Sequence, residues 1–470
     1  MFGDLNNYHE EDEILDALKR YRDMLSLHTG IYIDLCEYEC IIDYYIEQLN
    51  FKDAIKAVGH AIKQHPYAAS LKTRYAQLLI ETGKPARALG IIKSMGEDEP
   101  TDFEFYLAKG IALNLTGKHI EARKSFERAF QLCSEGRDEL AYNIAQSYMQ
   151  IGMLSQATRY LIQAYRYNED NILVLYDLAS HYEKLDCPEK SIVYYKKYLD
   201  LDPFAEHVWN NLGLIYTGLD DIEKASEAFD LAVAINPSYF PAYYNKAEML
   251  VLNNDIQGAI RVYYELLDCD CTNTKALCDL GTCFEEIGYN KEALIHFQKA
   301  LEISGSCSDA WYGSGLIYYR QRKFRLSISS FKKAVGLQPV NSDYWFMLGE
   351  AYVAMGKLNQ AINAYSRASE LNPLDFEAWM ACAQVLYRKK RIEEAICMLL
   401  RLYQYNHDNP TLNYRLAAYY TYQGDIRNAL MYFEKGLTIN FQEHKEVFKR
   451  FPKTKSCRDF QSMVENHIHS

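Results

Sequence analysis

The sequence contains few prolines, no long apolar run and no excess of positive charge. Its 11 prolines in 470 residues leave no room for a proline-rich linker. No run of about 18 apolar residues occurs, and the first residues lack the basic and apolar regions of a secretory signal, so we expect no membrane-spanning helix and a cytoplasmic location. In that compartment the 12 cysteines stay reduced. A formal net charge of −12 argues against broad binding to nucleic acid or to anionic membranes.

What the sequence does contain is a repeat of 34 residues, in which we call the nth residue slot n. Two segments, beginning at Glu206 and at Ser342, carry the same residue types at eight slots. In the first segment these residues are Trp209, Leu212, Gly213, Tyr216, Ala225, Phe229, Ala232 and Pro237. Stepping by this period in both directions defines twelve units, with one extra residue near Arg137. The units are 35–68, 69–102, 103–136, 138–171, 172–205, 206–239, 240–273, 274–307, 308–341, 342–375, 376–409 and 410–443. We refer to them as repeats 1 to 12.

Slot 20 is the most regular column of the repeat. It holds alanine or serine in all twelve units: Ala54, Ala88, Ala122, Ala157, Ser191, Ala225, Ala259, Ala293, Ser327, Ala361, Ala395 and Ala429. Two helices can approach closely only where the contact residue is small, so this column predicts a helix crossing in every repeat. Slot 8 is also small, whereas slots 11 and 24 are mostly aromatic, which predicts that small residues face large ones.

These columns, together with prolines at slot 32, resemble the tetratricopeptide-repeat family over residues 35–443. The resemblance implies an all-α, right-handed superhelical solenoid of about twelve helix-turn-helix repeats with helical caps. We expect the caps at residues 1–34 and 444–470. In the first cap, Ile14, Leu15, Leu18, Tyr21 and Leu25 are predicted to form the apolar face of a helix over Glu10 to Leu25. In the second, we expect an apolar side formed by Val447, Phe448 and Phe451 and, on a last short helix over Arg458 to His467, by Phe460, Met463 and Val464.

No catalytic motif accompanies the repeats. The sequence has no phosphate-binding loop and no HExxH helix, and Gly313, Ser314 and Gly315 fall inside a repeat helix. Cysteines 269, 271, 278 and 283 do not have a standard zinc spacing, and core thiols explain them better than a metal site does. We therefore expect no enzyme activity and no cofactor. An enzymatic alternative would require this cysteine group to bind metal.

The resemblance implies that slots 2, 5, 6, 9, 12 and 13 of the first helix face a ligand in a concave groove. Slot 6 forms a polar ladder over five repeats: Asn143, Asp177, Asn211, Asn245 and Asp279. An asparagine can both donate to and accept from an extended peptide backbone. The placement of Asn143, Asn211 and Asn245 resembles the asparagine ladder in the repeat domain of O-linked N-acetylglucosamine transferases, whose catalytic domain has no counterpart here. An ionised aspartate accepts only, so Asp177 and Asp279 would favour a basic side chain.

Two further columns run beside the ladder. Slot 5 is largely aromatic and contributes Tyr142, Tyr176, Asn210 and Tyr244 in the ladder region, and slot 9 contributes Gln146 and Glu248. The aromatic residues are expected to act as ligand anchors. The alternative is that the tyrosines pack between adjacent helices and that the polar residues are simply solvated.

A second ligand-binding mode of the family, the two-carboxylate clamp, is not expected. It requires lysine, asparagine and arginine at defined slots of neighbouring repeats, whereas Arg74 and Arg415 stand alone at slot 6. Basic clusters around Arg322 and Lys390 lie near the turns between paired helices, where a solvated edge is the simplest interpretation.

The sequence therefore predicts a protein–protein interaction scaffold that binds an extended peptide or protein segment in its groove, and binds neither nucleic acid nor membrane. The alternative is a structural subunit of a larger complex, or a homo-oligomer, that uses its end helices and convex surfaces.

Overall fold

A computed structural model describes residues 4–27, 31–95 and 102–469, with side chains described for 14–26, 31–95 and 102–467. All regular structure in these ranges is helical. None of the described helices is both long enough and apolar enough to cross a bilayer. The slot-32 proline of repeat 2, Pro100, lies outside the described residues.

Most of the helices are 12 to 14 residues long and alternate with short turns. In chain order they are α1 (Asp4–Leu27), α2 (Leu35–Glu47), α3 (Phe51–Gln64), α4 (Ala69–Glu81), α5 (Pro85–Lys93), α6 (Phe103–Leu115), α7 (His119–Leu132), α8 (Arg137–Gln150), α9 (Leu154–Tyr167), α10 (Ile172–Lys184), α11 (Pro188–Leu201), α12 (Glu206–Gly218), α13 (Ile222–Ile235), α14 (Phe240–Leu252), α15 (Ile256–Cys269), α16 (Thr274–Glu286), α17 (Asn290–Ile303), α18 (Ser308–Arg320), α19 (Phe324–Leu337), α20 (Ser342–Ala354), α21 (Leu358–Leu371), α22 (Phe376–Arg388), α23 (Ile392–Tyr403), α24 (Pro410–Gln423), α25 (Ile426–Ile439), α26 (His444–Arg450), α27 (Pro452–Lys455) and α28 (Arg458–His469), with one 3₁₀ turn at Phe441–Glu443.

The chain forms two compact units, Met1–Ala228 and Phe229–Ser470. Within each unit, consecutive helices pack in pairs, such as α8 with α9 in the first unit and α18 with α19 in the second. The first helices of neighbouring repeats also touch, as α6 does with α8 and α16 with α18. This stacking of helix pairs confirms the predicted all-α repeat fold, and it places the first helices of successive repeats side by side.

The slot-20 column is fully buried in every repeat. Its twelve alanine and serine side chains, from Ala54 to Ala429, all have 0% exposure. A larger side chain at this slot would have to displace atoms that are already closely packed. The burial agrees with the packing constraint that the sequence predicts.

Glycines at slot 8 lie against aromatic rings at slot 24 of the same repeat. A Cβ atom added to Gly281 would lie 2.7 Å from the Phe297 ring, and one added to Gly349 would lie 2.6 Å from the Tyr365 ring. Carbon atoms in contact are normally about 3.5–4.0 Å apart. These positions therefore require glycine, and the predicted packing of small residues against large ones is confirmed.

The turn inside each repeat contains a left-handed residue at slot 15, which the sequence analysis did not identify. The backbone φ is positive at this slot in all twelve repeats. Half of these residues are glycine, and the others are Leu49, Asp186, Asp220, Asn254, Arg322 and Lys390. A left-handed residue ends the first helix and turns the chain toward the second. Tertiary packing imposes this conformation even on leucine, lysine and arginine.

All four tryptophans fix the loop between repeats. The indole Nε1–H of Trp209 donates to the carbonyl oxygen of Pro203 at 3.0 Å, and that of Trp345 donates to Pro339 at 2.9 Å. Trp379 and Trp311 make the same bond to the residue six positions earlier. This bond explains why tryptophan occurs at slot 4, since its apolar ring covers the junction while its N–H satisfies a loop carbonyl.

The two caps differ in how well their apolar faces were predicted. In α1, Leu18 and Tyr21 are buried as expected, but Leu15 is 61% exposed and Leu25 is 45% exposed, so the prediction was wrong for these two leucines. Ala17 is buried instead, because the contacting face of the helix is centred on residues 14, 17, 18 and 21. At the other end, Phe451 and Phe460 are buried as predicted, and Val447, Phe448, Met463 and Val464 are partly buried against the same core.

Candidate functional site

In each unit, slots 2, 5, 6, 9, 12 and 13 of the first helices form a surface that we call the A-helix face. In two pairs of repeats on this face, a slot-6 side chain meets the slot-9 side chain of the preceding repeat. In this way Gln146 Nε2 donates to Asp177 Oδ2 at 2.7 Å, and Arg74 pairs with Asp43. Asp177 and Arg74 are therefore each bound by a residue 31 positions earlier in the chain.

In the first unit, Tyr142, Gln146 and Asp177 form one hydrogen-bonded group. The Tyr142 hydroxyl is bonded to Asp177, which also accepts from Gln146. Burial, together with the negative charge of Asp177, raises the pKa of Tyr142 to about 12. Asn143 lies beside this group, half-buried, and bonds to none of the described residues. Asp177 is thus already engaged by its own chain, whereas the Asn143 amide is available.

Asn211 and Tyr176 form a second group in the first unit. Asn211 Nδ2 donates to the hydroxyl of Tyr195 at 3.2 Å and lies 3.4 Å from that of Tyr176. The Tyr176 ring packs edge-on against Tyr195, with centroids 5.8 Å apart, and also contacts His207. Asn210 is only 5% exposed. Tyr176 is thus partly buried between helices, and Asn210 offers little surface to a ligand.

In the second unit, Tyr244, Glu248 and Asp279 line one cleft of about 440 Å³. The Tyr244 hydroxyl donates to Asn273 Oδ1 at 2.8 Å, and Lys275 Nζ lies 4.0 Å from the centre of the Tyr244 ring. Burial raises the pKa of Asp279 from 3.8 to about 6, although Lys275 acts in the opposite direction. Asn245 is half-buried and already has an interaction within the chain.

The clefts at the ladder residues are acidic. In the first unit, Asn211 lines a cleft of about 380 Å³ together with Glu183 and Asp186, and no lysine or arginine lines it. In the second unit, the cleft at Asp279 adds Glu248 and Glu286, opposed by Lys275 alone. The arrangement can accept hydrogen bonds and can pair with a cation.

Some cleft residues were missed because only slots 5, 6 and 9 were searched residue by residue. Lys275 occupies slot 2, Glu183 slot 12 and Glu286 slot 13, all of which belong to the A-helix face. Aligning the twelve repeats at these three slots would have revealed them. These three side chains determine whether the net charge of each cleft is positive or negative, which cannot be read from the ladder residues alone.

The four cysteines considered for zinc occupy different environments. Cys269 and Cys271 are exposed, whereas Cys278 and Cys283 are buried. Cys278 Sγ lies 2.9 Å from the sulfur of Cys307, which the sequence analysis did not consider. Hydrogen bonds from Cys278 and from backbone N–H groups at the start of α18 lower the pKa of Cys307. Across residues 14–26, 31–95 and 102–467, no group of three or more histidine, cysteine, aspartate or glutamate side chains is placed to hold a metal ion.

The stacked helix pairs define a helical-repeat protein. Models of the tetratricopeptide repeat match residues 45–110, 138–171, 206–239, 274–307 and 312–354. A model described as the cytochrome c-type biogenesis protein H TPR domain matches residues 337–445. The chain belongs to the tetratricopeptide-repeat family. Repeats of this family indicate a protein–protein interaction scaffold.

Several curated proteins share parts of the sequence. The chain is 27% identical over 216 residues to the DnaJ homolog subfamily C member 7 homolog of Schizosaccharomyces pombe, which covers 46% of this chain and 42% of that protein. It is 24% identical over 259 residues to the BBSome complex member BBS4 homolog of Drosophila melanogaster, which covers 52% of each. The similarity thus spans about half the length of these relatives or less.

Solved structures of repeat proteins also match parts of the chain. YrrB, described as a TPR protein with an unusual peptide-binding site, is 22% identical, with a TM-score of 0.36, covering 40% of this chain and 96% of that one. The C-terminal part of a TPR repeat-containing protein from Cytophaga hutchinsonii is 16% identical, with a TM-score of 0.40, covering 49% and 95%.

Proposed function

We propose that the A-helix face binds an extended protein segment that carries lysine or arginine side chains. The observation that supports this most directly is the acidic lining of the clefts at Asn211 and Asp279. Open, preformed clefts lose little conformational entropy when a ligand enters. The chain then acts as an adaptor that holds its partner through geometry and charge, without chemistry.

Two kinds of contact would recognise the partner segment: hydrogen bonds to its backbone and ion pairs with its basic side chains. The amide of Asn143 can donate to and accept from a peptide backbone, and this contact does not depend on the sequence of the ligand. The carboxylates of Glu248 and Asp279 would select basic side chains, because an ion pair would offset the cost of burying the Asp279 charge. The ladder amides would contribute affinity for any extended peptide, and the acidic clefts would contribute the preference for lysine and arginine side chains.

The ladder is tested by changing Asn143, Asn211 and Asn245 to alanine together. We expect binding of a captured partner to weaken by about tenfold or more, since several hydrogen bonds are lost at once. Partners are first captured with the unchanged protein and identified by mass spectrometry. The affinity of each purified partner for both proteins is then measured by isothermal titration calorimetry.

The matched control changes three exposed amides on second helices, Gln131, Gln156 and Gln298, to alanine. This triple variant removes the same number of amides from a different surface, and we expect its affinity to equal that of the unchanged protein. Equal affinities for the ladder variant and the control would show that the ladder does not bind the partner.

A second candidate, a structural subunit or homo-oligomer, is supported by apolar residues at slot 33. Tyr67 is 97% exposed, Phe204 and Val340 are each 76% exposed, and Leu374 is 71% exposed. Apolar side chains that recur at one slot of a repeat are typical of an edge that packs against another protein. Light scattering on the purified chain separates the two candidates, because a stable dimer without added partner supports the second.

A further inference from the structure

A group of three arginines surrounds Tyr419 near the end of the second unit. Arg415, at slot 6 of repeat 12, has its guanidinium carbon 5.5 Å from the Phe451 ring and is hydrogen-bonded to the Tyr419 hydroxyl. Arg450 directly precedes Phe451, whose ring lies 5.9 Å from that of Tyr419. Arg388 directly follows Tyr387, whose ring stacks on Tyr419 at 4.8 Å.

Arg415 is a buried cation without an acidic partner. Its side chain is 7% exposed, whereas Arg388 and Arg450 are exposed to solvent. Within the described part of the chain, no carboxylate forms an ion pair with any of the three. The positive charge of Arg415 lowers the pKa of Arg450, as expected where like charges are close and uncompensated. Burying an unpaired charge is unfavourable, so this arrangement needs a compensating anion.

The equivalent arginine in repeat 2 has the carboxylate partner that Arg415 lacks. Arg74, also at slot 6, pairs with Asp43 at slot 9 of the preceding repeat. The residue that corresponds to Asp43 for Arg415 is Gln384, which is neutral. Two other arginines of the second unit do have carboxylate partners, since Arg320 pairs with Glu285 and Arg391 pairs with Glu394. Among the described residues, no carboxylate therefore pairs with Arg415 in the way that Asp43 pairs with Arg74.

We propose that Arg388, Arg415 and Arg450 bind an oxyanion, a carboxylate or a phosphate group, on an acidic segment of a partner protein. Guanidinium groups present paired N–H donors that match the two oxygens of such a group. The rings of Tyr419 and Phe451 provide a rigid apolar floor that holds the guanidinium of Arg415 in place. Lys453, 5.3 Å above the Tyr422 ring, adds positive charge beside the site.

Arg415 at slot 6 and Arg388 at slot 13 also lie on the A-helix face, but in the last two repeats, outside the ladder. Binding at this site goes beyond the function proposed above and does not depend on the ladder clefts. The ladder clefts are acidic and would take a basic segment, whereas the arginine site would take an acidic one. It also differs from a two-carboxylate clamp, because Arg388 ends α22, the first helix of the preceding repeat, and Arg450 ends α26 of the cap. A partner that engages both sites would carry charges of both signs.

The test uses fluorescein-labelled peptides and fluorescence anisotropy on the full chain. One peptide carries several glutamates, a second carries phosphoserines at the same positions, and a third carries glutamines. We expect the glutamate or the phosphoserine peptide, or both, to bind at least about tenfold more tightly than the glutamine peptide. The comparison of the first two identifies the preferred oxyanion.

The decisive variant is Gln384→Glu, which places a carboxylate where Asp43 stands in repeat 2. We expect it to pair with Arg415, to raise the midpoint of thermal unfolding and to weaken binding of the anionic peptides by about tenfold or more. Arg388→Gln with Arg450→Gln, both at exposed positions, should weaken binding without unfolding the protein. Arg401→Gln with Arg427→Gln, at exposed arginines on α23 and α25, is the control with the same loss of charge and should bind normally.

Equal affinity for all three peptides would overturn the proposal, and so would unchanged affinity of the Gln384→Glu variant. The ladder variants are measured in the same assay. Loss of anionic peptide binding in the arginine variants with normal binding in the ladder variants supports an independent site. Loss in the ladder variants alone contradicts the arginine site and leaves the test of the ladder unaffected.

Discussion

Replacing Phe331 by alanine is expected to lower the free energy of unfolding of the second unit by about 3–5 kcal/mol. Phe331 has 0% exposure, and a Cβ atom on Gly315 would lie 2.6 Å from its ring. The ring therefore fills the space left by the glycine, and its removal opens a cavity that the backbone cannot close. Urea unfolding followed by circular dichroism measures the loss.

The matched control for Phe331 is Leu374→Ala, an apolar truncation at a side chain that is 71% exposed. We expect its effect to stay within about 0.5 kcal/mol. Because repeats can unfold locally, hydrogen exchange should show the loss of protection concentrated in α18 and α19. A Phe331→Ala variant as stable as the control would mean that slot 24 does not support the helix pair.

Replacing Asp279 by asparagine is expected to stabilise the protein at neutral pH, although it removes a proposed ligand-binding charge. Burial raises the pKa of Asp279 from 3.8 to about 6, so the folded chain holds this proton more tightly than the unfolded chain does. The stabilising effect of the bound proton is complete below about pH 4 and is lost as the pH rises through 6. Above pH 7, Asp279→Asn should therefore gain about 1–3 kcal/mol.

The pH dependence is what distinguishes this effect from a general loss of negative charge. The gain from Asp279→Asn should fall towards zero as the pH drops from 7 to 4, because the aspartate is then protonated in the folded state and becomes partly protonated in the unfolded state. Asp268→Asn, at an exposed aspartate on α15, should show little change at any pH. Urea unfolding between pH 4 and pH 8 provides the curves, and a gain that is independent of pH would contradict the burial of the Asp279 charge.

Most of the fold could be predicted because the repeat supplies twelve examples of each position. A single alanine such as Ala225 says little, but alanine or serine in all twelve units predicts a close helix contact. The pairing of Gly281 with Phe297 followed from the same comparison. The left-handed residue at slot 15 was missed, since six of the twelve are not glycine and the conformation comes from the packing of the two helices.

The site was harder to predict because its properties depend on contacts between repeats. The position of Asp177 in the repeat predicts that it lies on the A-helix face. It does not predict that the Asp177 carboxylate is already hydrogen-bonded to Gln146 and Tyr142. Likewise, Arg415 was recognised as an isolated arginine, while the missing carboxylate at Gln384 emerged only from the contact between Arg74 and Asp43. A one-dimensional pattern identifies which residues share a face, whereas their partners depend on the three-dimensional stacking.

The central claim, that the A-helix face holds a partner segment, is tested most directly by photo-crosslinking. A benzoyl-phenylalanine is introduced at Leu214 or Leu252, exposed residues that line the two acidic clefts, or at Val193 or Ile295, exposed residues on second helices. Irradiation with a bound partner is predicted to yield crosslinks from residues 214 and 252 and none from residues 193 and 295. Crosslinks from the second helices alone would contradict the claim and would favour the structural-subunit alternative.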